Sequence, residues 1–402
     1  MTDLVSNRAA TGPRVLDDVR VLDFSSMIAG AYCTRMMADL GADVLKVETP
    51  GGEVMRSVSP MRGEFSTVYA ALNSGKRSLG LDLKQPAAIA LCQQLVAHYD
   101  VVVENFSPGV MQRLGLDYAT LAALNPRLVM LSISGYGQSG PEAALPAYAP
   151  IVQAHSGYEL ITTRAQPGSD RPLNMGLPVA DTTAALQGFG ALTAALYYRS
   201  RTGIGQYVDI AMMDSLLSTM HRDFQLAFNP DAHIRLYGPV KTSDGFIIAT
   251  PVSQPQFDKM TECLGQPELR ADPRFASQRA RLDHYNDLMT IVEAWTCQRT
   301  STEVLRALSA ADVPCAPYRN IAELTDDPQL QHRGMLTEVV DGAGPLRVPN
   351  TPFLYSATQA AVRPEVAAVG AHNEAVVCGE LGVEAGAYAA LQAAGVFGRK
   401  RE

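Results

Sequence analysis

The sequence predicts an α/β protein built on a largely parallel sheet, and three observations carry that prediction. Short apolar runs alternate with segments of helical spacing through the first half of the chain. Glycine and proline punctuate the joins between them. With 402 residues and 47% hydrophobic composition, the chain can bury one large core and a second, smaller one. Strands joined through helices need crossover connections, so the sheet is expected to be covered on both faces and to bind ligands beyond the carboxyl ends of its strands.

Taken in order, the apolar run from Val19 to Phe24 reads as a buried strand, and Ala29 to Leu40 follows with helical spacing that stops at Gly41. Asp43 to Glu48 is the next strand and Ser78 to Leu83 another. Pro86 to His98 is a helix with proline in its first turn, a position where the missing N–H costs nothing. Val101 to Asn105 is a strand, Gly109 to Leu114 and Tyr118 to Leu124 are short helices, and Leu128 to Ser134 is a further strand. A long helix then opens near Asp181, carries small or apolar residues at Ala184, Ala185, Leu186, Phe189, Leu192, Ala195 and Leu196, and closes at Gly203, where a left-handed cap is expected. A Val208 to Met212 strand and an apolar helix through Leu217 complete a large domain at residues 1–222, with His221 to Pro230 as a linker. A small domain spans 223–330, with a strand at Phe246 to Thr250 and helical patterns at Pro255 to Leu264 and Tyr285 to Leu308. Residues 331–402 return to the large domain, ending in an Ala-rich helix at Val383 to Val396.

Composition excludes several functions. No run approaches the roughly 18 apolar residues of a membrane span, and Met1 to Arg8 lacks an apolar signal core, so a cytoplasmic protein without a membrane partner is expected. The six cysteines form no C-x-x-C pair and none has a histidine at metal spacing, which argues against zinc and disulfides and reads as core thiols. A net charge of −8 without a basic cluster makes nucleic acid an unsuitable partner, so an anionic ligand would need local basic residues. Two apparent nucleotide motifs fail on context. Gly135 to Gly140 fits G-x-G-x-x-G after a strand, but Pro141, Pro146 and Pro150 deny it the helix that a pyrophosphate needs. Asn73 to Ser78 imitates a P-loop ending, but Ala70 stands where its first glycine belongs and Arg77 where Ser or Thr would hold magnesium.

Asp181 carries the functional reading. As a helix-opening residue it has a structural explanation, an acceptor for orphan backbone N–H groups at the positive end of the dipole. Gly176 and Pro178 before it, with Ala and Thr crowding the first turns, also allow a ligand to come close.

The glycine and proline approach to Asp181, the Ala-rich helix, its Arg201-Thr-Gly203-Ile-Gly205-Gln end and the Val208-Asp-Ile-Ala-Met212 strand together resemble the class III CoA-transferases. The resemblance extends through Asp23-Phe-Ser-Ser-Met-Ile-Ala29-Gly30, Leu40 to Glu48, Asn73-Ser-Gly-Lys-Arg-Ser78, Val103-Glu-Asn-Phe-Ser-Pro-Gly109 and Arg113-Leu-Gly115. It implies a Rossmann-like large domain with a smaller α/β domain, two chains interlocked as a homodimer, and Asp181 as the nucleophile. It further implies that Ile28 and Ala29 border the thioester, that Leu81 and Lys84 meet the nucleotide part of CoA, and that Asn105 and Phe106 wall the pantetheine. Arg113 would contact a phosphate and Met212 would line the site. No permanently bound cofactor is implied, because the CoA thioester is itself the substrate.

That resemblance implies transfer of CoA from an acyl-CoA donor to a carboxylic acid acceptor through a covalent aspartyl intermediate. Ile28, Ala149 and the absence of a glycine run near Gly238 depart from the oxalate-using members, so a short dicarboxylic or branched acid is expected, with Arg164 or Arg171 as its carboxylate partner. The alternative is a 2-methylacyl-CoA racemase of the same fold, which needs a second acid–base group. Tyr148 stands where those relatives carry a histidine, and the nearby His155 reads as structural.

Overall fold

The computed structural model describes residues 5, 12–163, 170–229, 237–251 and 253–398. The chain forms two compact units. The first takes residues 1–164, 168–225 and 328–402, and the second takes 165–167 and 226–327.

The first unit is organised on a six-stranded parallel sheet. Its strands are β1 (Arg20–Asp23), β2 (Asp43–Glu48), β5 (Arg77–Gly80), β6 (Val101–Glu104), β7 (Val129–Ser134) and β8 (Gln206–Ala211), in the order β5-β2-β1-β6-β7-β8. A small antiparallel pair, β3 (Met61–Arg62) and β4 (Phe65–Ser66), interrupts the numbering. Strand order runs outward in one direction from β1 and in the other from β6, so the carboxyl ends of these two neighbours form a topological switch point.

Both faces are covered, because alternate side chains of these strands enter two separate cores. On one face α1 (Ala29–Asp39) and α8 (Val179–Thr202) pack with Val21, Val103, Leu131 and Ile133. On the other, α3 (Pro86–Val96) and α5 (Tyr118–Leu124) pack with Leu22, Val102 and Met130. Gly188 lets α8 lie close on β7: a Cβ there would stand 3.1 Å from Leu131 Cδ2. Gly203 ends α8 in the left-handed conformation, φ 76°. Between these elements lie α2 (Thr67–Asn73), α4 (Val110–Leu114), α6 (Ala149–His155) and α7 (Tyr158–Thr163), and α9 (Met212–Leu217) follows β8.

Several expectations need correction. The Pro86 to His98 helix stops at Val96, and the Ser78 to Leu83 strand at Gly80. Met212 is not in a strand but is the first residue of α9. His221 to Gln225, read as linker, forms a short helix, α10. In the second unit β9 (Val240–Lys241), β10 (Phe246–Ala249) and β11 (Cys315–Pro317) form an antiparallel sheet. Its helices are α11 (Gln254–Cys263), α12 (Gln278–Asp283), α13 (Tyr285–Thr296) and α14 (Ser301–Ala310). The single helical pattern at 285–308 is therefore two helices, because Thr300 and Glu303 form a reciprocal capping box that starts α14 afresh.

The return segment carries α15 (Pro328–His332), the unforeseen hairpin of β12 (Leu336–Asp341) and β13 (Gly344–Pro349), and α16 (Ala385–Ala393), whose Tyr388 and Leu391 pack on the second core. Only Cys33 and Cys92 are buried thiols. Cys297 is exposed and Cys263, Cys315 and Cys378 are half-buried, so the expectation of six core thiols fails. No described helix is long and apolar enough to cross a membrane.

Candidate active site

The site begins where β1 ends. Phe24 N–H still donates to Val103 O at 2.8 Å, continuing the pairing with β6, after which the main chain leaves the sheet. Asn105, just past β6, takes over as a surrogate strand: its Oδ1 accepts from Ser26 N–H (2.8 Å) and its Nδ2 donates to Ser26 O (2.7 Å). Met27 then adopts φ 60°, a conformation that side-chain-bearing residues rarely hold. Ile28 is the N-cap residue of α1 and Ala29 its first helical residue. Gly30 closes against Ser25 so tightly that a Cβ there would collide with the Ser25 side chain.

Asp181 meets this turn from the other side. It is the third residue of α8, not its cap. Pro178 occupies the N-cap position without a side-chain bond, and the Ala180 N–H is taken by Oε1 of the buried Gln153 at 3.3 Å. The Asp181 carboxyl instead faces the Ala29 backbone N–H, which lowers its pKa. The half-buried carboxylate thus sits at the amino-terminal turns of both α1 and α8, whose dipole ends favour negative charge. Burial pushes its pKa up to about 6, and the Ala29 N–H opposes that rise. No charged side chain among the described residues contributes to its shift.

The other residues selected from the sequence are carried by the loops and helix starts that follow the strands on the same edge of the sheet. Ile28 and Ala29 follow β1, Leu81 and Lys84 follow β5, Asn105, Phe106 and Arg113 follow β6, and Met212 follows β8. Asn105 is bonded directly to the loop that bears Ile28 and Ala29. Met212 shares the first core with Ala180 and Ala184, whereas Leu81 and Phe106 belong to the second. Lys84 and Arg113 are exposed, which leaves their charges available to a polyanion. Of the two arginines expected near an acceptor carboxylate, Arg171 is exposed and Arg164 lies outside the described residues.

Beneath this surface lies a charged cluster that the sequence reading missed. Asp23, fully buried, accepts from Ser25 N–H (2.9 Å), Thr34 Oγ1 (2.7 Å) and Lys76 Nζ (3.0 Å). Lys76 and Lys46 pull its pKa down to about 2 against the opposing effect of burial. Lys46, also fully buried, donates to Ser25 O at 2.7 Å and pairs with Glu53 at 3.1 Å. Glu53 Oε2 accepts the Met27 N–H at 2.8 Å. A lysine inside the apolar run Val44-Leu45-Lys46-Val47 was the available signal, because a buried charge must be paired. Lys76, in the rejected phosphate motif, directs its donors to Asp23, Ala31 O and Asn73 Oδ1, all internal. The Gly135 to Gly140 stretch leads into turns, and no helix begins before Ala149.

The site thus joins a half-buried carboxyl at the carboxyl edge of a parallel sheet with exposed cations on neighbouring segments. Comparisons with known proteins give the family. The model of CoA-transferase family III matches residues 16–373. The chain is 34% identical to a succinate–glutarate CoA-transferase of Agrobacterium fabrum, with 94% of this chain and 97% of that protein covered. It is 35% identical to a succinyl-CoA–D-citramalate CoA-transferase of Chloroflexus aurantiacus, covering 95% and 98%. Among solved structures, a CAIB/BAIF family protein from Brucella suis superposes with a TM-score of 0.80 at 31% identity, covering 91% of this chain and 99% of that one.

Proposed function

The chain belongs to CoA-transferase family III and is a CoA-transferase, and from that premise we propose that Asp181 is the nucleophile through which it moves CoA to a short dicarboxylic acid. An Asp181 oxygen attacks the thioester carbonyl of the donor. The C–S bond breaks, leaving a mixed anhydride and CoA thiolate. The thiolate attacks Asp181 Cγ, releasing the donor acid and leaving an aspartyl-CoA thioester. The acceptor carboxylate attacks that thioester to give a second anhydride, and the returning thiolate cleaves it at the acceptor's acyl carbon. New acyl-CoA leaves and Asp181 is a carboxylate again.

The observation that carries this reading is the half-buried Asp181 carboxyl in the first turn of α8, whose start packs with the first residue of α1 in one core. The Ala29 N–H lowers its pKa and so favours the ionised nucleophile. A carboxylate is a weak nucleophile in water, so orientation is the main contribution of the site; well-placed groups reach effective molarities of about 10⁵ M or more. Exposed Lys84 and Arg113 are proposed to hold the nucleotide and phosphate end of CoA, and Leu81, Asn105, Phe106, Ile28 and Met212 to border its length. Arg171 is proposed to meet the distal acceptor carboxylate. Glutarate and citramalate, acids in the relatives' names, are the first acceptors to try. The racemase alternative is not favoured: Tyr148 is 65% exposed, and His155 is engaged with Tyr136 Oη at 3.1 Å and Glu142 at 3.6 Å.

A homodimer is part of this proposal. Leu186, Tyr197 and Tyr198 of α8 are about half exposed or more, at 50%, 66% and 48%, which suits a face covered by a second copy. The threading of the two chains rests on the resemblance to the family. Light scattering that gave a monomer at micromolar concentration would remove it.

The test of the reaction is mass spectrometry. The enzyme is incubated with succinyl-CoA, quenched and digested, and the peptide containing Asp181 is expected to gain the mass of CoA less water. The same assay is run with glutarate, citramalate and oxalate as acceptors. An unmodified peptide during turnover, or wild-type rates from Asp181→Asn, would reject the aspartyl route. Oxalate as the best acceptor would reject the substrate assignment.

A further inference from the structure

Met27 is held at φ 60°, a backbone cost that persists only where surrounding contacts over-determine it. Those contacts come from a pair of buried charges. Glu53 Oε2 accepts the Met27 N–H at 2.8 Å, its other oxygen lies 3.1 Å from Lys46 Nζ, and Lys46 donates to Ser25 O at 2.7 Å. A buried ion pair is a weak source of stability, because desolvation offsets most of the attraction. Here its polar atoms go to the main chain of residues 25 and 27, two residues before Ala29 opens α1.

Glu53 is also held independently of that turn. Its own N–H reaches Glu48 Oε2 at 3.3 Å, and Glu48 is clamped by Arg56 at 2.7 and 2.8 Å. The position is therefore set from the end of β2, and the turn is fitted to it.

We propose that Glu53 is a positioning residue for the transfer reaction, fixing the left-handed turn at Met27 and with it the start of α1, which packs in the first core beside the start of α8 that bears Asp181. The inference rests on Asp181 being the nucleophile. Its particular consequence is electrostatic. Burial raises the Asp181 pKa and the Ala29 N–H lowers it, with no charged side chain among the described residues contributing, so misaiming that N–H moves the pKa up. The groups that face Glu53 are Lys46, Arg56, Tyr69 and Lys76. The effect of Glu53 reaches Asp181 through the backbone of the turn.

The experiment uses the full chain and Glu53→Gln, which keeps the shape and removes the charge. Rates with succinyl-CoA and glutarate are measured across pH 5 to 9, beside circular dichroism. The expected result is a folded enzyme whose kcat falls about tenfold, with the KM for succinyl-CoA within about twofold. The acidic limb of the rate profile should move up by about half a pH unit. Adding Met27→Gly should return the limb to its wild-type position, because glycine adopts φ 60° without a side-chain penalty. An acidic limb unmoved in folded Glu53→Gln, or moved and not restored by Met27→Gly, overturns the proposal. If Glu53→Gln does not fold, Glu53→Asp takes its place with the same expectation, and failure of both to fold assigns Glu53 to stability alone. Wild-type transfer by Asp181→Asn would instead overturn the nucleophile, whatever Glu53 does.

Discussion

The backbone N–H of Ala29, the first residue of α1, faces the carboxyl of Asp181, the third residue of α8, and lowers its pKa. Because the donor is uncharged and burial is the larger effect, the acid sits near pKa 6, poised rather than firmly ionised.

That balance makes Asp181 a stability cost at neutral pH. Its folded pKa lies above the unfolded value of 3.8, so the stability it contributes is complete below about pH 4 and is lost as pH rises through 6. Asp181→Asn should therefore gain roughly 2–3 kcal/mol at pH 7.5 and almost nothing at pH 4 while losing transfer by at least about 10³-fold. Urea titrations at the two pH values, beside an activity assay, check both halves.

Glu104 offers a second pH-dependent site. Burial raises its carboxyl to about 7, opposed by the Ser132 side chain and by the Phe106 N–H, which donates to it at 2.8 Å. By the same sign, its contribution is present below about pH 4.5 and lost through pH 7. Glu104→Gln should melt with wild type at pH 4.5 and several degrees above it at pH 8.5. Equal melting temperatures at both pH values would show that Glu104 is ionised throughout.

Removing one partner of the deepest ion pair should be costly. Lys76→Met leaves Asp23 buried beside one cation instead of two, and a loss of about 3–5 kcal/mol is expected. Equilibrium unfolding in urea measures it, and a loss below about 1 kcal/mol would mean that Asp23 takes up a proton at little cost.

Arg113 should act through charge alone. Arg113→Ala is expected to raise the KM for succinyl-CoA about tenfold at low salt, with a smaller effect at 0.5 M salt and little change in the acceptor KM. Equal loss for donor and acceptor would move Arg113 out of the CoA site.

Periodicity made the parallel sheet and its helices legible, because strands buried on both faces leave apolar runs and because Gly41, Gly203 and Pro86 mark ends by backbone geometry alone. The C-terminal hairpin was not legible, since Leu336 to Pro349 mixes exposed and buried positions on a short ribbon. In the site, the position of Asp181 at a helix start was readable, but its partner was not: a backbone N–H has no residue signature. Lys46, Glu53 and Lys76 were visible as residues, yet their pairing joins β2, the turn after it and the approach to β5, and contacts of that span leave no mark in local spacing.

An anchor made of main chain has a consequence for the descent of such enzymes. Every amino acid except proline presents the same N–H at position 29, but the Ala29 side chain is buried in the first core, so added bulk there would have to displace its neighbours. The half-buried side chain at position 28 has more room to vary. On the proposed route, a lineage can try new acids as acceptors through residue 28 while the main chain at 29 stays in place.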